Sequence, residues 1–189
     1  MIENRTHITK RIFIGAFIRD KQTLQSFSKI KQEFSPLMKA KWTKPENLHI
    51  TAYFYGNAQL KTIEKIKEAL NDILQQPIKS KIELKGLGIF YKKHKPYILY
   101  MNPKNKEEIL QTTIRAIQLR LLENDLIKEI PSNYTPHITL ARIKKANTEF
   151  EQIVKQYEHT VFGTINELTF EIIESILTPQ GPIYKTLQL

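Results

Sequence analysis

The feature that most constrains the fold is the tripeptide His-Ile-Thr, which recurs at one position in two similar halves of the chain. The copies are His49-Ile50-Thr51 and, 88 residues later, His137-Ile138-Thr139. Each follows a proline-containing loop and opens a segment rich in apolar residues. A third copy begins at His7, before the first predicted strand and without a counterpart in the other half, so we interpret it as coincidental. A repeat of this length predicts a duplicated unit.

Hydrophobic periodicity gives both halves the order strand, helix, strand, helix, strand. The first half predicts strands over 12–18, 49–55 and 82–90, helices over 24–34 and 60–73, and a loop between Pro36 and Pro45. The second predicts strands over 97–101, 137–143 and 168–177, helices over 109–121 and 150–157, and a loop between Pro131 and Pro136. A last strand is predicted over 183–189. Residues 92–95 are predicted to form the solvent-exposed turn of a hairpin. Gly86 and Gly88 are predicted to mark a distortion within a strand.

These patterns predict one domain over residues 1–189, with an internal repeat over about 10–91 and 96–177. Pseudo-twofold symmetry between the halves would place the two tripeptides face to face at a central cleft. Since side chains alternate along a strand, His49 and Thr51 share one face, as do His137 and Thr139. We therefore expect two imidazoles and two hydroxyls in one pocket.

Such a set suits in-line displacement at phosphorus. One imidazole can accept a proton from the attacking water while the other protonates the leaving oxygen, because imidazole titrates near neutral pH. The hydroxyls can bind non-bridging oxygens. Arg142 can bind phosphate through two parallel hydrogen bonds. Strict alternation aims Arg142 away from Thr139, so a bulge or the strand end must turn it inward.

Other sites fit the residues less well. Zinc usually takes three or four His, Cys or carboxylate ligands, whereas the paired faces offer two histidines and no acidic residue in register. No serine lies in a nucleophile-elbow context. Isolated His-x-Thr tripeptides are usually half-exposed strand residues, so the equivalent position of the two copies, rather than the motif itself, carries the hypothesis.

The amino-acid composition limits the classes of binding partner and the cellular compartment that we expect for this chain. The chain has 29 Lys and Arg against 19 Asp and Glu, a net charge of +10, which favours polyanionic partners such as nucleic acid or an anionic membrane surface. It has no cysteine, which fits a reducing cytosol. Residues 12–18 form an apolar run too short to span a bilayer, and no secretory signal is visible. We expect a cytoplasmic protein with no membrane partner.

The motifs together resemble the two-histidine phosphoesterase superfamily, and within it the bacterial and archaeal RNA 2′,3′-cyclic phosphodiesterases, historically called 2′-5′ RNA ligases. The resemblance covers nearly the whole chain. Its most specific part is Pro136-His137-Ile138-Thr139-Leu140-Ala141-Arg142. The other matching segments are 11–14, Trp42, 46–51, Gly56, 86–90, 174–175, Gly181 and Tyr184.

The resemblance implies an α+β fold of two pseudo-symmetric lobes, each an antiparallel sheet with helices on its outer face, and an active-site cleft between them. It implies hydrolysis of an RNA-terminal 2′,3′-cyclic phosphate to a 2′-phosphate, by a monomer without metal or cofactor. In this pattern His49 is the proton donor and His137 the proton acceptor, while Thr51, Thr139 and Arg142 bind the phosphate. RNA ligation at the same site, or RNA binding without catalysis, are the alternatives.

The residues after the first tripeptide depart from the family pattern. Ala52 stands where a leucine is usual, and Tyr53 where a small residue is usual. Alternation aims Tyr53 and Tyr55 at the His49 face. Phe54 matches a position that stacks a base in the resemblance, but a core role is an equal alternative.

Overall fold

The computed structural model describes residues 8–132 and 134–188, so His7 lies outside the described residues. The chain forms an antiparallel sheet with four α-helices in these ranges, which confirms the α+β class. The strands are β1 (Thr9–Phe17), β2 (Met38–Trp42), β3 (His49–Gln59), β4 (Ile78–Lys92), β5 (Lys95–Asn105), β6 (Ile138–Ala146), β7 (Val161–Leu168), β8 (Glu171–Thr178) and β9 (Gly181–Thr186). The helices are α1 (Lys21–Phe34), α2 (Leu60–Leu74), α3 (Ile109–Glu123) and α4 (Phe150–Gln156).

Two groups of strands, β7-β4-β5-β6 and β3-β1-β8-β9, meet at one point of the sheet. Its order is β7-β4-β5-β6-β3-β1-β8-β9, and β2 pairs with β6 beside this path. In the described ranges, β3 and β6 share a single registered pair, Ile50 opposite Ile138. Both isoleucines are fully buried. The two tripeptides therefore lie side by side in the sheet, with their isoleucine side chains on the core side.

Each half pairs its last strand with the first strand of the other half. β4 pairs with β5, the first strand of the second half, and β8 pairs with β1, the first strand of the first half. The β4–β5 pairing is a local hairpin, whereas β1–β8, β2–β6 and β4–β7 join distant parts of the chain and interlock the two halves. The apolar side chains of strands and helices form one continuous core, in which Phe27, Phe34 and Phe150 are among the largest fully buried residues.

Two sequence predictions about strands were wrong. The segment between Pro36 and Pro45 contains β2, because Met38 and Ala40 alternate with lysines and pack toward the core. The predicted strand over 168–177 corresponds to β8, which begins at Glu171, and the preceding strand β7, which ends at Leu168, was not predicted. These strands have different partners, β4 and β1, so the chain must break direction between them at Thr169 and the buried Phe170.

Two predictions about the middle of the chain are confirmed. Residues 92–95 form a hairpin whose turn residues, Lys93 and His94, both adopt left-handed backbone angles, as a tight two-residue turn requires. The glycine segment is a distortion: the β4–β5 register shifts between Leu84 and Leu87, where Gly86 has a φ of 82°. The last strand covers 181–186 rather than 183–189.

We predict that Ile50→Ala lowers the free energy of unfolding by about 2–5 kcal/mol, because it removes buried atoms from the one pair that joins β3 and β6. Ile50→Val, which removes one methylene, should cost about 0.5–1.5 kcal/mol. Urea unfolding followed by circular dichroism measures both. A loss below about 0.5 kcal/mol for the alanine variant would show that this junction contributes little to stability.

Candidate active site

The junction of β3 and β6 brings the two tripeptides together. In the antiparallel register set by Ile50 and Ile138, His49 stands opposite Thr139 and His137 opposite Thr51. The isoleucines point into the core, so all four polar side chains share the other face, where they are half-buried. The structure thus brings together the four residues that the tripeptide repeat singled out.

Both imidazoles are held in the same tautomer by backbone carbonyls. Nδ1 of His49 lies 2.7 Å from the carbonyl oxygen of Asn47, and Nδ1 of His137 lies 2.8 Å from that of Thr135. A carbonyl only accepts hydrogen bonds, so each Nδ1 must carry the hydrogen and donate it. The second nitrogen, Nε2, is then left to exchange a proton with a bound group. In both copies the acceptor lies two residues before the histidine.

The carbonyl of each tripeptide threonine accepts a hydrogen bond from the loop that precedes the other tripeptide. The Tyr134 hydroxyl donates to the carbonyl of Thr51. The Thr43 hydroxyl donates to the carbonyl of Thr139 at 2.9 Å. These crossed bonds tie each strand to the opposite loop, and they fix the two threonines relative to both histidines.

Each imidazole packs against one phenylalanine and one tyrosine. The His49 ring centroid lies 4.8 Å from that of Phe13 and 5.2 Å from that of Tyr184. The β9 strand that carries Tyr184 is anchored by the buried Asn47, whose side-chain amide donates to the carbonyl of Pro182 at 2.9 Å. The loop that orients His49 therefore also holds its aromatic neighbour.

His137 has the matching surroundings in the second half. Its ring centroid lies 4.8 Å from that of Phe90 and 5.6 Å from that of Tyr100, and these two rings stack at 4.2 Å. Tyr100 lies over Gly88, where a Cβ atom would come within 2.3 Å of the ring. Glycine is thus required at this position for the stacked pair to form.

The aromatic surroundings lower the pKa of both histidines. Burial lowers the pKa of His49 below its usual 6.5, since the cation loses water; the charge of His137 lowers it further, while the hydrogen bond to Asn47 opposes the shift. Burial likewise lowers the pKa of His137, against the opposing bond to Thr135. Both imidazoles are consequently mostly neutral at pH 7 in the free protein.

A β-bulge, one of the two features that the sequence analysis allowed, turns Arg142 onto the site face. Tyr100 pairs with Thr139 and Ile98 with Arg142, so β6 has one more residue than β5 between these pairs. Tyr100 and Ile98 share a face of β5, and their partners must share a face of β6. The guanidinium of Arg142 lies 5.4 Å from the centre of the Tyr97 ring.

A second bulge, at the equivalent place on β3, overturns the expectation for Tyr53, Phe54 and Tyr55. Gly15 pairs with Thr51 and Phe13 with Phe54, so the bulge brings Phe54, not its tyrosine neighbours, onto the His49 face. Phe54 is 51% exposed, which rules out the core role considered for it. Tyr53 and Tyr55 pack in part against the core instead. In both strands, the side chain of the third residue after the threonine lies on the same face as the threonine.

Two arginines act on the pKa of the Tyr184 hydroxyl. Burial raises the pKa of Tyr184, while the guanidinium groups of Arg11 and Arg142 both act to lower it. Arg11 stacks over Phe54, with its guanidinium carbon 4.8 Å from the ring centre. Arginines from β1 and β6 thus both act on Tyr184, which packs against His49, an arrangement that favours an anionic ligand.

Sequence analysis missed Thr43, Tyr134, Phe13, Phe90 and Tyr100 as site residues. Their hydrogen bonds and ring contacts come from loops and strands that pack only in the folded chain. Only the Tyr134-Thr135-Pro136 segment before the second tripeptide and the matching residues 11–14 and 86–90 offered a signal.

Within residues 8–132 and 134–188, no group of three or more histidine or carboxylate side chains is placed to hold a metal ion. No helix there has the length and apolar character needed to cross a membrane.

Comparison with known proteins places the chain in a family. The family model of the AKAP7 2′5′ RNA ligase-like domain matches residues 12–188. The chain belongs to this family. Among curated relatives, it is 30% identical over 179 residues to the RNA 2′,3′-cyclic phosphodiesterase of Archaeoglobus fulgidus, covering 95% of the chain and 98% of the relative. The enzyme of the same name from Methanocaldococcus jannaschii is 30% identical over 181 residues, covering 94% and 98%. The resemblance predicted from the motifs is confirmed.

Two solved structures share the fold of this chain. A Thermus thermophilus protein superimposes with a TM-score of 0.74 at 19% identity, covering 94% of this chain and 95% of that one. Escherichia coli LigT in complex with 3′-AMP gives a TM-score of 0.74 at 16% identity, covering 96% and 97%. At these identities the likeness establishes the architecture, and the site must be argued from the residues of this chain.

We predict that NMR titration finds the pKa of both His49 and His137 below 6.5, since burial disfavours the cations. The variant His137→Ala should raise the pKa of His49, because it removes a neighbouring positive charge and opens the site to water. His159→Ala, an exposed histidine outside this cluster, serves as the control. A His49 pKa above 6.5 in the unmodified protein, or one indifferent to His137→Ala, would contradict the geometry.

Proposed function

We propose that the chain is an RNA 2′,3′-cyclic phosphodiesterase that opens a terminal cyclic phosphate to a 2′-phosphate by two-histidine catalysis. The observation that carries this proposal is the paired tripeptide site, in which two imidazoles with fixed tautomers share one face with two threonines and Arg142. Relatives of the same name match nearly the whole chain. Hydrolysis needs one base, one acid and groups that bind the phosphoryl oxygens, and this set supplies all three.

The proposed architecture is one domain of two pseudo-symmetric lobes, with residues 10–91 and 96–177 as the repeat and the active-site cleft between them. The single-pair junction of β3 and β6 supports two lobes in space, one of β7, β4, β5, β6 and β2 and the other of β3, β1, β8 and β9, so each lobe contains strands of both repeats. The exchange of β4 and β8 explains how two repeats could form one cooperative unit. A cleft at the junction would expose Nε2 of both histidines to one ligand.

In the proposed reaction, His137 acts as the base and His49 as the acid, as the family pattern implies. Nε2 of His137 takes a proton from water as the water oxygen bonds to phosphorus. The bond between phosphorus and O3′ breaks, and Nε2–H of His49 gives its proton to O3′, which leaves the phosphate on O2′. The lowered pKa of His137 suits a base that must be neutral. The negative charge of the bound phosphate would favour the protonated form of His49.

Thr51, Thr139 and Arg142 complete the proposed site by binding the non-bridging oxygens. The crossed bonds from Tyr134 and Thr43 hold the two threonine backbones in place. A guanidinium can donate two parallel hydrogen bonds to a phosphate and stays charged at every relevant pH. The bulge that puts Arg142 on the Thr139 face is therefore a functional feature in this proposal.

The proposed partner is RNA, or a nucleotide, that ends in a 2′,3′-cyclic phosphate. We further propose that the protein works in the cytoplasm as a monomer, without metal or cofactor. The absence of cysteine and the excess of 29 basic over 19 acidic residues support a cytosolic, nucleic-acid-binding role.

Ligation is a second candidate, because the matching family model describes a 2′5′ RNA ligase-like domain. Hydrolysis and ligation differ only in whether water or a ribose hydroxyl attacks the same phosphorus. Incubation with a cyclic-phosphate RNA and a 5′-hydroxyl RNA separates them. A 2′-phosphorylated product supports hydrolysis, and a joined product with a 2′-5′ linkage supports ligation.

We predict that the protein hydrolyses a cyclic-phosphate RNA at an undiminished rate in EDTA. His49→Ala and His137→Ala should each lower kcat by about 10²–10⁴-fold, because each removes one proton-transfer group. His159→Ala is the matched control and should leave kcat unchanged. Activity that disappears with the chelator, or that survives either site substitution, would overturn the two-histidine mechanism. No activity on any cyclic phosphate, together with RNA binding, would favour a non-catalytic module.

A further inference from the structure

Positive charge is distributed unevenly over the sheet. The three neighbouring strands β5, β6 and β2 contain no aspartate or glutamate, although the chain has 19 acidic residues. The same strands carry Lys95 and Lys104, then Arg142, Lys144 and Lys145, and finally Lys39 and Lys41. Arg142 lies on the central strand of this acid-free region, beside the proposed reaction centre.

Strand register places several of these cations on the face of Arg142. Lys41 pairs with Arg142 and Lys39 with Lys145, and paired residues in an antiparallel sheet share a face. The opposite face of β2 is covered, since Trp42 packs against Phe27 of α1 with ring centroids 6.1 Å apart. The lysines are therefore presented on the side where the two histidines lie.

The β4–β5 hairpin extends the same positive surface. The Tyr97 ring lies under both the guanidinium of Arg142, at 5.4 Å, and the ammonium of Lys92, at 5.3 Å. Lys92 pairs in turn with Lys95. We call this surface the basic strip and define it by Lys39, Lys41, Lys92, Lys95, Arg142 and Lys145.

All six side chains of the basic strip are exposed. Within residues 8–132 and 134–188, none of them forms a salt bridge. By contrast, the large groove on the β4–β5 face is lined by five lysines and five glutamates, so its charge nearly cancels. Like charges crowded together without counterions repel each other, and a polyanion relieves that repulsion.

We propose that the basic strip binds the RNA strand that leads away from the terminal nucleotide. This inference rests on the proposed function for the direction of the strand, which starts at the phosphate beside Arg142. Lys39, Lys41 and Lys145 would contact phosphates on one side, and Lys92 and Lys95 on the other, with the Tyr97 ring between them as a surface on which a base can stack. The strip thus makes the protein prefer an RNA end over a free cyclic nucleotide.

The test compares the triple variant K39Q/K41Q/K145Q with the unmodified protein on two substrates, a 2′,3′-cyclic mononucleotide and an RNA of about ten nucleotides that ends in the same cyclic phosphate. The variant should keep its kcat/KM on the mononucleotide and lose about tenfold or more on the RNA at low salt. The slope of log kcat/KM against log salt on the RNA should become shallower by about 2, from three lost contacts at about 0.7 each.

The matched control is K21Q/K29Q/K31Q, which removes the same charge from exposed lysines of α1 on the other side of the sheet. It should behave like the unmodified protein on both substrates. If the control loses as much as the strip variant, or if the strip variant loses equally on both substrates, the proposal fails.

Direct binding separates this proposal from the enzymatic one. Fluorescence anisotropy with a labelled ten-nucleotide RNA that ends in a 3′-hydroxyl should show weaker binding for the strip variant than for the α1 control, even if the protein proves inactive. Equal RNA binding by both variants overturns the proposal. Strip-dependent binding to vesicles containing anionic phospholipid, with no such dependence for RNA, would assign the strip to a membrane surface and also overturns it.

Discussion

The pairing of Ile50 with Ile138 is the contact on which the rest of the site depends. It is the one registered pair that joins β3 to β6, and both side chains are fully buried. Because side chains alternate along a strand, burying these isoleucines sends His49, Thr51, His137 and Thr139 to the opposite face. The hydrophobic pair thus determines which polar groups meet. A shift of one residue in either strand would bury the histidines and expose the core.

The two β-bulges place on the site face two side chains that regular alternation would aim away from it. On β6 the extra residue returns Arg142 to the face of Thr139, and on β3 it returns Phe54 to the face of Thr51. Alternation alone aims Arg142 away from Thr139, and since a phosphate site needs a cation, either a bulge or the strand end was expected to turn it inward. On β3, strict alternation placed Tyr53 and Tyr55 on the His49 face, and the bulge places Phe54 there instead. A bulge leaves no simple trace in hydrophobic periodicity, so only a functional argument could detect it.

The family resemblance predicted the α+β class, the tripeptide repeat predicted the four site side chains that share a face, and the residues 92–95 themselves indicated the hairpin. The sequence did not show β2 or β7, because strand boundaries there follow from which neighbour each strand pairs with. The sequence likewise could not show the contacts that bring four further residues to the site, namely Thr43, Tyr134, Tyr100 and Tyr184. These residues reach the site through non-local contacts, up to 135 residues apart along the chain for the bond that anchors β9. The tautomers of the two histidines could not be predicted from the sequence either, since the groups that accept a hydrogen bond from each Nδ1 are backbone carbonyls.

The central claim is that both histidines act on one phosphate, held by residues from both strands. The most direct test is a crystal structure of the protein with a nucleoside 2′-phosphate, the product of the proposed reaction. The account predicts phosphoryl oxygens within hydrogen-bond distance of Nε2 of His49 and Nε2 of His137, with further contacts to Thr51, Thr139 and Arg142. A phosphate bound by only one of the two imidazoles, or bound in the β4–β5 groove away from both, would contradict it.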